Sequence, residues 1–302
     1  MDNLIVARAR SLLQKNGGTI RIHHPYSPIY PTIIMLSFKP QVHFISPTTP
    51  QLDKPLLVFF PGMDGTGMLL RYQIEAFDLA ETFDIRCLAM PSDDLSTWQQ
   101  LTNRAISLLR QEIGLKRRPV YLCGESFGGC LALRVALQAP DLLDRIILVN
   151  PATCFNQQTW LKWASYLPGW VPAPIYHVGV VGFLPLLGSL GRMAERESQD
   201  LLAAMQSVSQ ASSTWRLNLL REFEINPQEL ARVKQPVLAI ASTNDWLLPS
   251  AIESKRLITF LPNAQRVILK NSGHACLLET DINLMEILSA HNFMPTTEAY
   301  AA

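Results

Sequence analysis

Short apolar runs alternate with amphipathic stretches along most of the chain. Near-continuous apolar runs of about four to eight residues are typical of strands buried on both faces of a parallel sheet. The pattern predicts such strands at 55–60, 84–90, 119–123, 145–149, 236–241 and 265–270. The stretches between them have helical periodicity, so the sequence predicts a doubly wound α/β sheet. In such sheets functional side chains gather at the carboxyl ends of the strands.

Two of the predicted helices begin with a sequence typical of a capping box. Ser96 is followed three residues later by Gln99, and Ser250 is followed in the same way by Glu253. In a capping box the two side chains satisfy backbone N–H groups at the helix start. Gly114 is predicted to end the first of these helices.

The composition indicates a globular protein with a sizeable core. Of 302 residues, 48% are hydrophobic and 17% are charged, so the chain forms either one domain with an insertion or two small domains. Lys and Arg number 26 against 25 Asp and Glu, and the net charge of +1 is too small to attract nucleic acid. The five cysteines form no C-x-x-C pair, so we expect free thiols, a reducing compartment and no zinc site. No other metal and no cofactor are predicted.

The amino-terminal region is basic, and a helix is predicted over 3–15 with edge strands following before residue 50. No Asp or Glu lies between Asp2 and Asp53. The helix rests on an anionic membrane surface, belongs to a transit-like segment, or is an ordinary surface helix. The region lacks the features of a secretory signal, so we expect a cytoplasmic protein.

The sequence GESFG, residues 124–128, lies between the strand 119–123 and a helical run. G-x-S-x-G in this context is the pattern of a nucleophile elbow, a sharp turn that holds its serine in a strained backbone conformation. We therefore predict Ser126 as a catalytic nucleophile. Cys123 and Cys130 flank the turn and are predicted to be small core residues.

A serine nucleophile needs a base, and the base needs an acid that orients it. On this fold they follow the serine in the order acid, then histidine, each after a late strand. Asp245 follows the strand 236–241 and His274 follows the strand 265–270. Asp281 is an alternative acid, and helix capping is the alternative role of Asp245. Structural roles are expected for the other histidines: His23, His24, His43, His177 and His291.

The glycine-rich sequence PGMDGTG, residues 61–67, follows the strand 55–60. Such a loop brings backbone N–H groups close to a ligand, and the N–H groups of Met63 and Phe127 are predicted to form an oxyanion hole. A plain glycine turn is the alternative. The glycine order G-x-x-G-x-G does not match the dinucleotide-binding pattern.

Four segments carry a family resemblance: PLLVFFPGMDGTG, FDIRCLAMP, VYLCGESFGGCLAL and ILVNPAT. Together they resemble the hydrolase half of the plant and cyanobacterial esterase/lipase/thioesterase family that includes phytyl ester synthases, over roughly residues 50–285. The resemblance implies an α/β-hydrolase fold, a mostly parallel sheet with helices on both faces, acting on acyl lipids such as phytyl esters. Ser126, Asp245 and His274 match its catalytic positions. It also implies peripheral contact with an internal, thylakoid-type membrane.

The connection between the strands 145–149 and 236–241 is far longer than the usual few residues. No charged residue lies between Lys162 and Arg192, a stretch interrupted by four prolines. We predict an apolar helical cap that lines a lipid pocket or contacts a membrane, in preference to a cap that only packs on the sheet or a spanning segment.

The predicted organisation has four parts: an N-terminal helix and edge strands (1–50), the first part of the core (51–152), an apolar cap (153–230) and the second part of the core (231–302). The predicted function is a serine hydrolase acting on long-chain acyl esters or thioesters. The alternatives are an acyltransferase that uses a lipid alcohol such as phytol, and a non-catalytic lipid-binding protein. Peripheral membrane contact is expected through the cap or the N-terminal region.

Overall fold

A seven-stranded sheet forms the centre of the computed structural model, which describes residues 41–114, 117–166 and 170–295. The strand order is β1-β3-β2-β4-β5-β6-β7, and every neighbouring pair is parallel except β1 with β3. The strands are β1 (His43–Ile45), β2 (Leu56–Phe60), β3 (Asp84–Ala89), β4 (Val120–Glu125), β5 (Arg145–Val149), β6 (Val237–Ser242) and β7 (Ala264–Leu269). The six strands predicted from apolar runs are all present, with bounds within two residues of the prediction.

Helices connect the strands and cover both faces of the sheet. They are α1 (Arg71–Phe77), α2 (Leu79–Thr82), α3 (Trp98–Ile113), α4 (Phe127–Gln138), α5 (Thr159–Ala164), α6 (Ala173–Leu187), α7 (Glu195–Ser207), α8 (Gln210–Glu222), α9 (Pro227–Leu230), α10 (Ser250–Phe260) and α11 (Leu284–Ala290). One core lies between the sheet and α3, α4, α8 and α10, and the other lies against α2 and α11. The predicted mostly parallel α/β architecture is thus confirmed.

Both predicted capping boxes are wrong. At the start of α3 the box is formed one residue later, by Thr97 and Gln100, because the Ser96 hydroxyl donates to Asp94 instead. At the start of α10 no side chain caps the helix, because the Ser250 hydroxyl donates to Asp245. Gly114 does end α3, with the positive φ of 58° that favours glycine.

The long connection between β5 and β6 contains helices α5 to α9. Its later part is continuous with the main core, because Leu219, Leu220 and Phe223 are buried against the helices α3 and α4. The later part of this connection, which we call the cap, is therefore packed on the core of the sheet domain. The helix predicted over 3–15, with any strand before residue 41, lies outside the described residues.

The turn between β4 and α4, which contains Ser126, lies directly against the end of β2. A Cβ on Gly128 would lie 2.0 Å from the carbonyl oxygen of Phe60 and 2.6 Å from that of Pro61. A Cβ on Gly124 would lie 2.5 Å from the carbonyl oxygen of Gly128. Only glycine permits this approach of helix, strand and loop backbones.

Replacing Gly128 with alanine should lower the free energy of unfolding by about 3 kcal/mol, because backbone atoms must move apart to admit the methyl group. Denaturant unfolding measures this change. Gly179→Ala is the matched control, since an added Cβ there meets no atom of the described residues within 4 Å in the middle of α6. Equal losses of stability in the two variants would contradict the packing constraint.

Candidate active site

Ser126 occupies the turn between β4 and α4 in a conformation that side chains rarely adopt, with φ 51° and ψ −113°. Its backbone is held on both sides. The N–H of Ser126 donates to the carbonyl oxygen of Val149 at 3.0 Å, and the carbonyl oxygen of Ser126 accepts from Gly129 and Ala152, each at 3.0 Å. The strain is therefore sustained by hydrogen bonds to β5 and to the start of α4.

Ser126, His274 and Asp245 form a continuous hydrogen-bonded chain. The hydroxyl of Ser126 lies 2.9 Å from Nε2 of His274, and Nδ1 of His274 lies 2.7 Å from Oδ2 of Asp245. With the proton on Nδ1, His274 donates to Asp245 and leaves Nε2 free to accept the serine proton. All three follow the carboxyl ends of parallel strands, β4, β6 and β7, as the sequence predicts.

The electrostatics of the pair suit a base and its orienting acid. Burial acts to lower the pKa of His274, but the charge and hydrogen bond of Asp245 outweigh burial and raise it above the usual range. Burial acts to raise the pKa of Asp245, yet His274, Ser250 and the Leu248 N–H together hold it below the usual range. Asp245 therefore stays ionised and stabilises a positive charge on His274.

The backbone also fixes the carboxylate of Asp245. Its Oδ1 accepts from the N–H groups of Leu247 at 3.0 Å and Leu248 at 2.9 Å. The alternative acid, Asp281, is exposed and pairs with Arg192 at 2.7 Å. The structure thus brings Asp245 to His274 and leaves Asp281 outside the chain of hydrogen bonds.

The loop after β2 reaches Ser126. A Cβ built on Gly62 would lie 3.8 Å from Cβ of Ser126. A turn closes the loop, since the Gly65 N–H donates to the carbonyl oxygen of Gly62 at 3.1 Å. The loop predicted to supply the Met63 N–H therefore contains a glycine turn and also borders Ser126.

The second predicted oxyanion donor, Phe127, is the first residue of α4. N–H groups in the first turn of a helix have no carbonyl partner one turn earlier and are free to bind an anion. The Phe127 ring stacks on Trp98 with centroids 4.6 Å apart, and the Trp98 indole donates to the carbonyl oxygen of Leu219 in α8. Phe127 is thereby linked to the cap through Trp98.

Asn150 is a supporting residue that the sequence reasoning missed. It is fully buried after β5, and its Nδ2 donates to the carbonyl oxygen of His274 at 2.7 Å and to the Ser242 hydroxyl at 3.0 Å. Its Oδ1 accepts from the Ser242 N–H at 2.8 Å. Asn150 thus joins the strand end before Asp245 to the loop of His274. Its position directly after a strand was the signal that could have found it.

Glu125 precedes Ser126 and is buried, a second residue that the sequence reasoning missed. Burial raises the pKa of Glu125 to about 7, with His274 acting to lower it and Asp64 to raise it. Its charge in turn acts to raise the pKa of His274. Glu125 was visible in the sequence only as the variable position of G-x-S-x-G.

The remaining candidates lie in structural settings. Burial raises the pKa of the thiols of Cys123 and Cys130, so neither is an activated nucleophile. All five cysteines are buried and free. His43 and His291 contact backbone carbonyl oxygens of nearby residues. His177 lies in α6, and His23 and His24 lie outside the described residues.

Within residues 41–114, 117–166 and 170–295 we find no group of three or more His, Cys, Asp or Glu side chains that could hold a metal ion. No helix in these ranges has the length and hydropathy needed to cross a membrane.

With this geometry defined, comparison with known proteins identifies the family. Residues 91–281 match the sequence model of the family described as alpha/beta hydrolase fold. The chain belongs to the alpha/beta hydrolase family. Among solved structures, this hydrolase is similar to the esterase EaEST from Exiguobacterium antarcticum, with a TM-score of 0.67 and 18% identity over 83% of this chain and 94% of that one.

Two curated plant proteins are also similar to this hydrolase. Phytyl ester synthase 1, chloroplastic, of Arabidopsis thaliana is 33% identical over 262 residues, which are 79% of this chain and 37% of the plant protein. Phytyl ester synthase 2, chloroplastic, of the same plant is 29% identical over 80% of this chain and 38% of the plant protein. The hydrolase spans less than two-fifths of the length of these relatives.

Replacing Glu125 with glutamine should move the acid limb of the pH profile of kcat/KM to lower pH. The base must be neutral, so the limb follows the pKa of His274, and loss of the Glu125 charge removes one cause that raises this pKa. Ester hydrolysis measured between pH 5 and 9 gives the limb. Glu81→Gln, at an exposed glutamate of α2, should leave it unchanged. A limb that stays in place or moves to higher pH in the Glu125 variant would show that the two groups are not coupled.

Proposed function

We propose that this hydrolase cleaves long-chain acyl esters through an acyl-enzyme on Ser126. The observation that carries the proposal is the chain of hydrogen bonds from Ser126 through His274 to Asp245, next to a loop that borders the serine. A nucleophile, a base oriented by an acid, and adjacent backbone donors are the parts that acyl transfer requires.

In the first half of the reaction, Nε2 of His274 takes the proton of Ser126 as the serine oxygen attacks the carbonyl carbon of the ester. The carbonyl oxygen becomes an oxyanion that accepts hydrogen bonds from the N–H groups of Met63 and Phe127. Asp245 stabilises the imidazolium. When the tetrahedral intermediate collapses, His274 gives the proton to the departing alcohol, and the acyl group stays on Ser126.

In the second half, a water molecule gives a proton to His274 and attacks the acyl-enzyme, which releases the carboxylic acid and restores the serine hydroxyl. A second candidate function replaces this water with a long-chain alcohol and produces a new ester. The similarity to two proteins named phytyl ester synthases favours phytol as that alcohol. The same site also suits a thioester, since the thiol leaves as the alcohol does.

The cap supports a lipid as the substrate. From residue 145 to residue 194 the chain contains no Asp or Glu, and its basic residues there are Arg145, Lys162 and Arg192. Trp163 and Trp170 are 73% and 86% exposed, and Trp160 and Tyr166 are half exposed. Indole and phenol rings favour the boundary between lipid headgroups and acyl chains. This segment contributes no carboxylate that would repel anionic headgroups.

We therefore propose that this exposed aromatic surface, formed by Trp160, Trp163, Tyr166 and Trp170, lies on an anionic lipid bilayer of an internal membrane and brings the site to its substrate. Lys162, on the same helix as Trp160 and Trp163, adds a positive charge. The guanidinium of Arg221 lies 4.0 Å from the centre of the Tyr166 ring and adds a second charge. The N-terminal region, with five Lys or Arg before residue 40, is a further contact of the same chemistry.

Ser126→Ala should abolish labelling by a fluorophosphonate probe and turnover of acyl esters, because no other hydroxyl replaces the attacking oxygen. The losses are measured by in-gel fluorescence and by release of fatty acid from short-chain and long-chain esters. Ser254→Ala is the control, since this buried serine donates only to the carbonyl oxygen of Ala251 in α10. Unchanged turnover in the Ser126 variant would refute the nucleophile.

The same assay with and without phytol separates the candidate functions. Free fatty acid alone supports the hydrolase, and phytyl ester formed at its expense supports acyl transfer. Wild-type protein that is folded, unlabelled and inactive on every ester, with bilayers present, would overturn both and favour a lipid-binding protein.

Replacing both Trp163 and Trp170 with serine should weaken binding to vesicles of phosphatidylglycerol and phosphatidylcholine at least tenfold. The bilayer would cover both exposed indoles, and losing the two contacts exceeds the ~1.4 kcal/mol that a tenfold change requires. Sedimentation with vesicles measures the binding. Leu52→Ser is the control. Leu52 is 67% exposed and precedes β2, so it lies at the amino ends of the parallel strands, whereas the site lies at their carboxyl ends. Equal binding of wild type and the double variant would contradict the proposed surface.

A further inference from the structure

Arg216 on α8 is a buried arginine that contacts the loop facing the nucleophile. It is 1% exposed, and its Nη1 donates to the carbonyl oxygens of Met63 at 2.6 Å and Asp64 at 3.2 Å. Its Nη2 donates to the carbonyl oxygen of Pro91 at 3.1 Å. The guanidinium therefore joins the cap, the loop after β2 and the segment after β3.

The burial of this charge calls for a reason, because a buried guanidinium normally faces a carboxylate. In the part of the chain that the structure describes, Arg216 has no ion pair, and its buried Nε has no hydrogen-bond partner. All its hydrogen bonds go to backbone carbonyl oxygens of loops. These contacts fix loop backbone. Burial lowers the pKa of Arg216, and the carboxylates of Asp64 and Asp94, which form no ion pair with it, act through space to raise that pKa.

The loop is shaped to receive the guanidinium. A Cβ on Gly65 would lie 2.7 Å from Nη1 of Arg216 and 3.0 Å from Cε of Met90. Gly65 also has φ 67°, so a side chain there would be strained as well as crowded. The Gly65 carbonyl oxygen accepts from the Met90 N–H at 2.7 Å, which closes the loop around the arginine.

The helix that carries Arg216 is itself fixed to the sheet domain. The Ser212 hydroxyl donates to the carbonyl oxygen of Asp94 at 2.6 Å, and the Trp215 indole donates to that of Ser96 at 3.0 Å. The N–H of Ser209, at the start of α8, donates to the carbonyl oxygen of Ser92 at 2.9 Å. Arg216 thus extends from an anchored helix and cannot follow the loop if the loop moves.

We propose that Arg216 is a positioning residue. It holds the loop 61–66 next to Ser126, so that the Met63 N–H can donate a hydrogen bond to the oxyanion. This inference rests on the proposed hydrolase function. Arg216 touches the carbonyl of Met63 and acts through its backbone. Its effect is therefore on the transition state, which carries the oxyanion, and not on the binding of the neutral ester.

The test compares Arg216→Met and Arg216→Lys with Arg104→Met. Arg104, on α3, also donates to a backbone carbonyl oxygen, that of Val42 at 2.7 Å, outside the loop. All proteins are assayed on a water-soluble short-chain ester, so that bilayer contact has no influence. Binding is measured for a trifluoromethyl ketone, which forms an oxyanion with the serine, and for a matched ether, which does not. Melting temperatures are recorded for each.

We expect Arg216→Met to lower kcat at least tenfold with KM within twofold, since loss of a single oxyanion donor costs about 10²–10³ in kcat. Affinity for the trifluoromethyl ketone should fall in parallel, and affinity for the ether should not change. Arg216→Lys should recover part of kcat by donating to one carbonyl oxygen. Arg104→Met should keep wild-type kcat and wild-type affinity for both inhibitors.

If Arg216→Met does not fold, Gly65→Ala provides a second test, because it disturbs the same contact from the loop. It should lower kcat and ketone affinity with little change in KM or ether affinity. Arg216 variants that lose only melting temperature, or that lose ketone and ether affinity equally, would overturn the positioning role while the hydrolase function stands. A wild-type protein that neither turns over the ester nor binds the ketone would overturn the proposed function, and the role of Arg216 with it.

Discussion

The approach of the Gly128 backbone to the carbonyl of Phe60 determines the geometry of the whole site. This contact brings the turn that carries Ser126 against the loop that carries Met63, at a distance that no side chain could permit. The strained φ of Ser126 follows from the same turn, because the strand must reverse into α4 within a few residues. His274 and Asp245 reach Ser126 from two further loops. Asn150 connects the loop of His274 and the end of β6, which precedes Asp245, to the end of β5.

Much of this arrangement could be predicted from the sequence because its signals are local. Apolar runs gave the strands, and the two glycines around Ser126 and the positions of Asp245 and His274 after late strands indicated the three loops. The capping residues were placed wrongly because two of the serines involved donate to aspartates, a choice that depends on tertiary neighbours. Spacing alone could not reveal that competition.

Asn150 and Arg216 illustrate what sequence reasoning could not reach. Each contacts backbone groups that are distant in the sequence. No sequence pattern around an asparagine or an arginine predicts such contacts. Arg216 did leave a weak signal, since it shares one face of α8 with buried Leu219 and Leu220, where a charge is unusual. The signal marks a buried arginine without identifying what it contacts.

The packing of α8 on the sheet domain limits which part of the cap can be exchanged between related enzymes. In a hydrolase whose cap is joined to the core only at its two ends, the cap can be exchanged for another without disturbing the reaction centre. Here Ser212 and Trp215 connect the cap to the segment after β3, and Arg216 connects it to the loop that borders Ser126. A cap transferred from another enzyme to change acyl specificity must therefore end before Ser209. The helices α5, α6 and α7 can then be replaced, and α8 is retained with the core.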